Sequence, residues 1–186
     1  MHSLQQGIIA ARLRRKFAAW AAERRGAAAV EFALVAAPFL FIIFGLMEVC
    51  LLFIMSTTLE YAVAEASREI RTGQAQEAGF SQLDFRNSVC SDMFGLMGCD
   101  SNLHIDVQRL SGFSSMNLGN PVDADGNFDG SGFAFQPGGA NDIVAVRVYY
   151  EWTLVTPILS KPLANLANGK HLIQASAVFR NEPFGD

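Results

Sequence analysis

The sequence predicts an α+β protein. One long N-terminal helix spans a membrane and continues into a small extracytoplasmic domain with a three-stranded antiparallel sheet. Three observations carry this. From Phe32 to Leu59 only Glu48 interrupts an otherwise uncharged, largely apolar run. About 20 such residues suffice for a helix to cross a bilayer. Directly afterwards, apolar residues recur at helical spacing. Further on, three segments alternate apolar and polar side chains with period two.

Charge is distributed unevenly along the chain. It has 186 residues, 51% hydrophobic and 17% charged, with a formal net charge of −4. Residues 1–25 hold six basic side chains (Arg12, Arg14, Arg15, Lys16, Arg24, Arg25) against Glu23 alone, a net +5, and residues 27–186 carry −9. An acidic body repels a phosphate backbone, so a general nucleic-acid binder is excluded. The apolar run excludes a plain cytosolic globule. It is also longer than the roughly 7–15-residue core of a cleaved secretory signal, which marks it as a retained membrane helix. The basic cluster before it places the N-terminus in the cytoplasm and residues from about 60 onward outside. Within the cluster, Ile9, Leu13, Phe17 and Trp20 fall at helical spacing. Two readings stand side by side: a helix lying on an anionic inner leaflet, or a leader that only sets topology.

The junction Arg24-Arg25-Gly26-Ala27-Ala28-Ala29-Val30-Glu31-Phe32 is the most informative stretch. A tiny residue follows a basic pair, and five positions later a carboxylate stands at the mouth of the apolar run. Counted from Arg25, Glu31 lies about 9 Å into the membrane. Unpartnered, it costs on the order of 2–3 kcal/mol there, which marks it as a functional candidate. From the residues alone, a processing site and a simple signal anchor with a snorkelling Glu31 both fit. Glu48 stands further along the same run. A straight helix rises about 25 Å from Glu31 to Glu48, which sets the second carboxylate near the outer face. It reads either as a contact to another subunit's helix or as an interfacial carboxylate wetted by headgroups.

Beyond the membrane, Leu59, Ala62, Val63, Ala66 and Ile70 continue the helix and Gly73 stops it. A short helix is expected over 81–93. The strand candidates follow, with Leu103, Ile105 and Val107 on one face and His104, Asp106 and Gln108 on the other. In the second, Val144, Val146, Val148, Tyr150, Trp152 and Leu154 share a face. In the third, Ile173, Ala175, Ala177 and Phe179 do so. Three strands with one apolar face each pack on the amphipathic helix as an α+β layer. Segment 111–141, rich in Gly, Ser, Asn and Asp, reads as a long mobile connection. The expected organisation is therefore a leader over 1–26, a membrane helix over 27–59 and an outer domain over 60–186. Cys90 and Cys99 face the oxidising side with Gly95 and Gly98 between them, so a disulfide is expected, with two packed thiols as the alternative. Cys50 sits in the apolar run as a filler.

Little in the chain suggests other chemistry. Asp123, Asp125, Asn127 and Asp129 alternate as in a calcium loop. Counted from Asp123, however, the positions where such a loop requires Gly and Glu hold Phe128 and Ala134. This leaves a weak calcium candidate beside a solvated turn. His104 and Asp106 supply at most two metal ligands and read as surface polar residues. His2, His104 and His171 form no constellation with a nucleophile. No enzyme activity, cofactor or metal is expected.

The junction resembles the processing site of type IV prepilins. The resemblance implies a membrane aspartic peptidase cutting between Gly26 and Ala27, which makes Glu31 the fifth residue of the mature chain. The segments GAAAVEFALVAAPFLFIIFGLMEV, AEASREIRTGQA and the terminal ASAVFRNEPF resemble, more narrowly, the TadE family of minor pseudopilins in tight-adherence (Flp-type) pilus systems. Such proteins often carry Glu-Tyr where this chain has Glu31-Phe32, a change that keeps the ring and loses a hydroxyl. The resemblance implies a pilin-like fold, the bacterial inner membrane as location with the head in the periplasm, and three kinds of partner: a prepilin peptidase, other pilins or pseudopilins, and the assembly machinery. An uncleaved single-pass anchor presenting a periplasmic interaction domain is the alternative. A tethered hydrolase using His104 and Asp106 is a distant third.

Overall fold

Residues Ala27–Arg71 form one α-helix of 45 residues, α1. The computed structural model describes residues 26–99, 101–113, 119–156 and 160–185. The expectations for the basic leader, Arg24 and Arg25 included, lie outside the described residues. The chain divides into two units, one ending at Gly45 and the other running from Leu46 to Asp186, and α1 contributes to both.

In the first unit α1 is apolar on every side. Phe32, Leu34, Val35, Phe39, Phe41 and Ile42 are all exposed, and a helix apolar all round belongs in lipid or inside a larger assembly. It is long and apolar enough to cross a membrane. Pro38 lies within it, tolerated where neighbouring groups can satisfy the freed carbonyl.

In the second unit the helix becomes one-sided. Met55, Leu59, Ala62, Val63, Ala66 and Ile70 are buried. Gly73, at φ 86°, ends the run in the left-handed region that glycine enters without strain. The ring of Phe184 also occupies the space that a Cβ at this position would need. The one-turn α2 (Gln74–Glu77) and then α3 (Gln82–Asp92) follow. α3 starts with a capping box: the Ser81 amide donates to Asp84 Oδ2 at 2.8 Å and the Asp84 amide donates to Ser81 Oγ at 3.3 Å. The Ser81 hydroxyl, donating to Asp84 Oδ2 at 2.6 Å, and then the Ser81 amide hold the Asp84 carboxyl below its usual range.

Strands β1 (Leu103–Leu110), β2 (Ile143–Trp152) and β3 (His171–Arg180) form an antiparallel sheet in the order β1-β2-β3, with the single turn α4 (Ser160–Leu163) before β3. The register aligns Leu103, Tyr150 and Ile173 across the sheet, then Ile105, Val148 and Ala175, then Val107, Val146 and Ala177. This face packs with α1, Phe85, Val89 and Met93 into one core. The period-two reading of all three strands holds, except that β2 ends at Trp152 and leaves Leu154 beyond it.

The other face departs from expectation. Alternation predicts a polar, solvated side, yet every residue of β2 from Ile143 to Tyr150 is buried. The cover comes from the connection expected to be mobile. Over 119–141 it bonds to the free edge of β1, with the Val107 amide donating to Ala134 O at 2.8 Å and the Gln136 amide to Val107 O at 2.7 Å. Its Phe128 and Phe133 lie against Tyr149, with centroids 6.1 and 5.5 Å away. Covering a bare strand edge also removes a template for unwanted pairing.

The C-terminal segment ties these parts together. Asn181, buried, donates to Pro137 O and Gly139 O, and the Glu182 amide donates to Arg71 O at the end of α1. Cys90 and Cys99 are joined, with Cα atoms 5.9 Å apart. Closing a loop of this length contributes about 2–3 kcal/mol. Non-reducing peptide mapping of protein from the cell envelope should recover the linked pair, and reduction should lower the melting temperature. Two quantitatively alkylatable thiols there would contradict the assignment.

Candidate functional site

The apolar helix carries two carboxylates, and their surroundings differ completely. Gly26 lies just before α1, and its carbonyl accepts the first helical bond from the Val30 amide at 3.1 Å. Gly26, Ala27, Glu31 and Phe32 are all exposed. A Cβ built on Gly26 meets nothing within 4 Å, and its backbone is outside the left-handed region. Packing and dihedral angle therefore do not demand glycine at this position. Glu31 makes no hydrogen bond or ion pair among the described residues. Among the described residues its carboxylate meets no partner.

Glu48 is 1% exposed, although it lies in the apolar stretch of α1. Its Oε1 accepts the Val155 amide at 3.0 Å and its Oε2 accepts the Thr156 amide at 2.8 Å. Position in the sequence points it outward, to another subunit or to headgroups. The structure turns this carboxylate inward onto its own chain, because the backbone just past β2 has lost its ladder partners and presents two adjacent donors. The free Cys50 is exposed nearby on the helix.

The remaining candidates resolve into structural roles. Asp123 Oδ1 accepts the amides of Asp125 and Asn127, and Oδ2 accepts the Asn127 side chain. These bonds, the Asn127 amide foremost, lower its pKa. Asp129 likewise caps the Ser131 amide. Carboxylates turned onto their own loop make an Asx-type turn. Among the described residues no group of three or more His, Cys, Asp or Glu is placed to hold a metal.

His104 and Asp106 are not the surface pair that alternation suggests. His104 Nε2 lies 3.1 Å from Glu151 Oε1, and its ring lies 4.1 Å from that of Phe128. Burial opposes ionisation of Glu151, yet bonds from His104, Lys170 and Asn168 outweigh it and hold its carboxyl below the usual range. Asp106 is fully buried and bonded to Arg147. No signal in a single strand reveals this, since the partner sits on another strand and becomes visible only once the β1–β2 register is known.

These features define a class: among the described residues, one helix able to cross a membrane, with a carboxylate near its start that has no partner there, followed by an α+β head with a disulfide. Residues 26–68 match the family model described as TadE-like protein. That is the family the sequence resembles, and it points to a protein associated with tight-adherence pili and with the membrane. Comparison with curated proteins and with solved structures yields no match.

Proposed function

We propose that this chain is the precursor of a minor pilin, or pseudopilin, of a tight-adherence pilus. It inserts with its N-terminus in the cytoplasm and is cut by a prepilin peptidase between Gly26 and Ala27. The observation that carries this reading is Glu31, without a partner among the described residues, in a segment that matches the TadE-like model. A bare carboxylate in the membrane is costly, and cleavage would create an α-ammonium at Ala27 able to offset it. Along one helix the two groups would lie about 6 Å apart in rise. Pairing with the new terminus of a neighbouring subunit relieves both charges as well, and it also fixes axial register. The apolar first half of α1 is then the surface that packs against other pilins, and the head remains in the periplasm.

N-terminal sequencing of the protein from its native envelope tests the processing step. The expected first residue is Ala27. A chain that keeps Arg25 is instead an uncleaved anchor. Glu31→Gln tests the assembly step, because it keeps the shape and removes the charge. The variant should insert and be cut, while its co-purification with other pilins falls about tenfold or more, as loss of a charge-assisted contact worth ~1.5–3 kcal/mol implies. Normal recovery of the partners and a normal pilus count would remove Glu31 from assembly.

A further inference from the structure

Glu48 and the loop it holds mark a second surface. A carboxyl group and two backbone amides are each costly to leave unpaired in apolar surroundings. Here each satisfies the other, at 3.0 and 2.8 Å. The loop is thereby tied to the helix, and the side chain between the two donors faces out: Val155 is 65% exposed. On the same stretch of helix as Glu48, Met47, Val49, Phe53 and Ile54 are also exposed. The sequence has no charge from Val49 to Leu59 and none from Trp152 to Ser160, an unusual composition for a water-facing collar. The stretch Ala27–Met47 precedes Glu48 in the same helix. Its rise of about 31 Å matches the roughly 30 Å of a hydrocarbon core.

We propose that residues 153–156 form a lipid-facing foot of the head, tethered by Glu48 and seated at the outer interface of the membrane. The spanning part of α1 then ends near Glu48, and residues 48–59 belong to the head. The occupant of this collar is the phospholipid interface, because the exposed apolar run continues in sequence from the segment that crosses the bilayer. Charged or strongly polar residues would be expected there if it faced water. Met55 and Leu59, buried in the head's core, fit the same boundary, since a lipid-embedded helix has no reason to bury one stripe in its own domain. The inference rests on the membrane-spanning reading of α1 and is independent of processing.

Nitroxide labels at single cysteines, in full-length protein carrying Cys50→Ser and held in phosphatidylethanolamine/phosphatidylglycerol vesicles, test it. Accessibility to oxygen, which partitions into lipid, is compared with accessibility to a water-soluble nickel chelate. Leu40→Cys is the deep reference and Ser176→Cys the aqueous one. Val155→Cys should read between them, with an oxygen-to-nickel ratio several-fold above that at 176. Adding Glu48→Ala should return it to the aqueous value. A label at 155 that reads like 176 overturns the foot while leaving the membrane helix intact. A label shielded from both reagents indicates a protein contact and overturns it too, and an unchanged reading in Glu48→Ala removes the tether. If position 40 itself reads as aqueous, the spanning reading fails and the foot with it.

Discussion

Gly26→Leu should leave the protein folded and inserted but accumulate it as an uncut precursor. The open space around Gly26 makes this a clean experiment. A Cβ there meets nothing within 4 Å, and the backbone does not require glycine, so α1, the disulfide and the head should be unaffected. Among the described residues no packing demand for a tiny residue arises, and under the proposed function a peptidase subsite shaped for glycine supplies one. Even one surplus methylene in a fitted pocket costs ~1–3 kcal/mol, so a branched four-carbon side chain should slow cleavage about 100-fold or more. Gly26→Ala should slow it less. Mass spectrometry of the N-terminus, beside a melting curve, separates the two effects. Cleavage of Gly26→Leu at the unaltered rate would assign the small residue to chance and overturn its role in processing, whereas a wild-type chain that is never cut would be the plain anchor.

The elements were legible because each has a local period. Leu59, Ala62, Val63, Ala66 and Ile70 show the helix, Val144 to Trp152 show the central strand, and Gly73 shows where the helix stops. The junction is a different kind of feature: Gly26, Ala27, Glu31 and Phe32 are exposed, so under the proposed function a partner reads a linear stretch and no tertiary context is needed. What stayed hidden depends on register or on donors from distant backbone. Glu48 looked open to headgroups or to another subunit's helix because nothing in its neighbourhood announces that Val155 and Thr156, far along the chain, present their amides to it. Asp106 looked solvated because alternation assigns polar residues to water by default. The Gly- and Asp-rich composition of 111–141 suggested looseness, but its aromatic residues Phe128, Phe133 and Phe135 are the ones that dock. Turn-forming composition and a docking role are compatible when a few large rings are spaced along a loop.

Asp106→Ala should destabilise the head by about 3–5 kcal/mol, the cost of leaving one member of a buried ion pair uncompensated. Arg147 lies directly opposite Asp106 on β2. Its Nε and Nη2 donate to Asp106 Oδ2 at 3.0 and 2.6 Å, and its Nη1 donates to Gly119 O at 2.9 Å. The guanidinium carbon also lies 6.0 Å from the ring centroid of Phe133 and 5.9 Å from that of Tyr149. Both rings are within range of a cation–π contribution. Asp106 Oδ1 accepts the Ala134 amide at 3.0 Å and the Gln108 side chain at the same distance. One pair thus fastens the covering segment to the sheet at two points, Gly119 and Ala134. Removing the carboxylate strands the cation and frees the cover together, so the melting temperature should fall by about 10 °C. The Ala134 amide should also lose its protection from hydrogen exchange. A paired replacement, Asp106→Leu with Arg147→Met, removes both charges at similar volume and should recover most of the stability, since buried ion pairs are often no better than apolar packing. Ala134 protection should return only in part, because its acceptor is gone while its contact to β1 through Phe135 remains. If Asp106→Ala melts like the unaltered protein, the pair is incidental and the aromatic residues alone hold the cover.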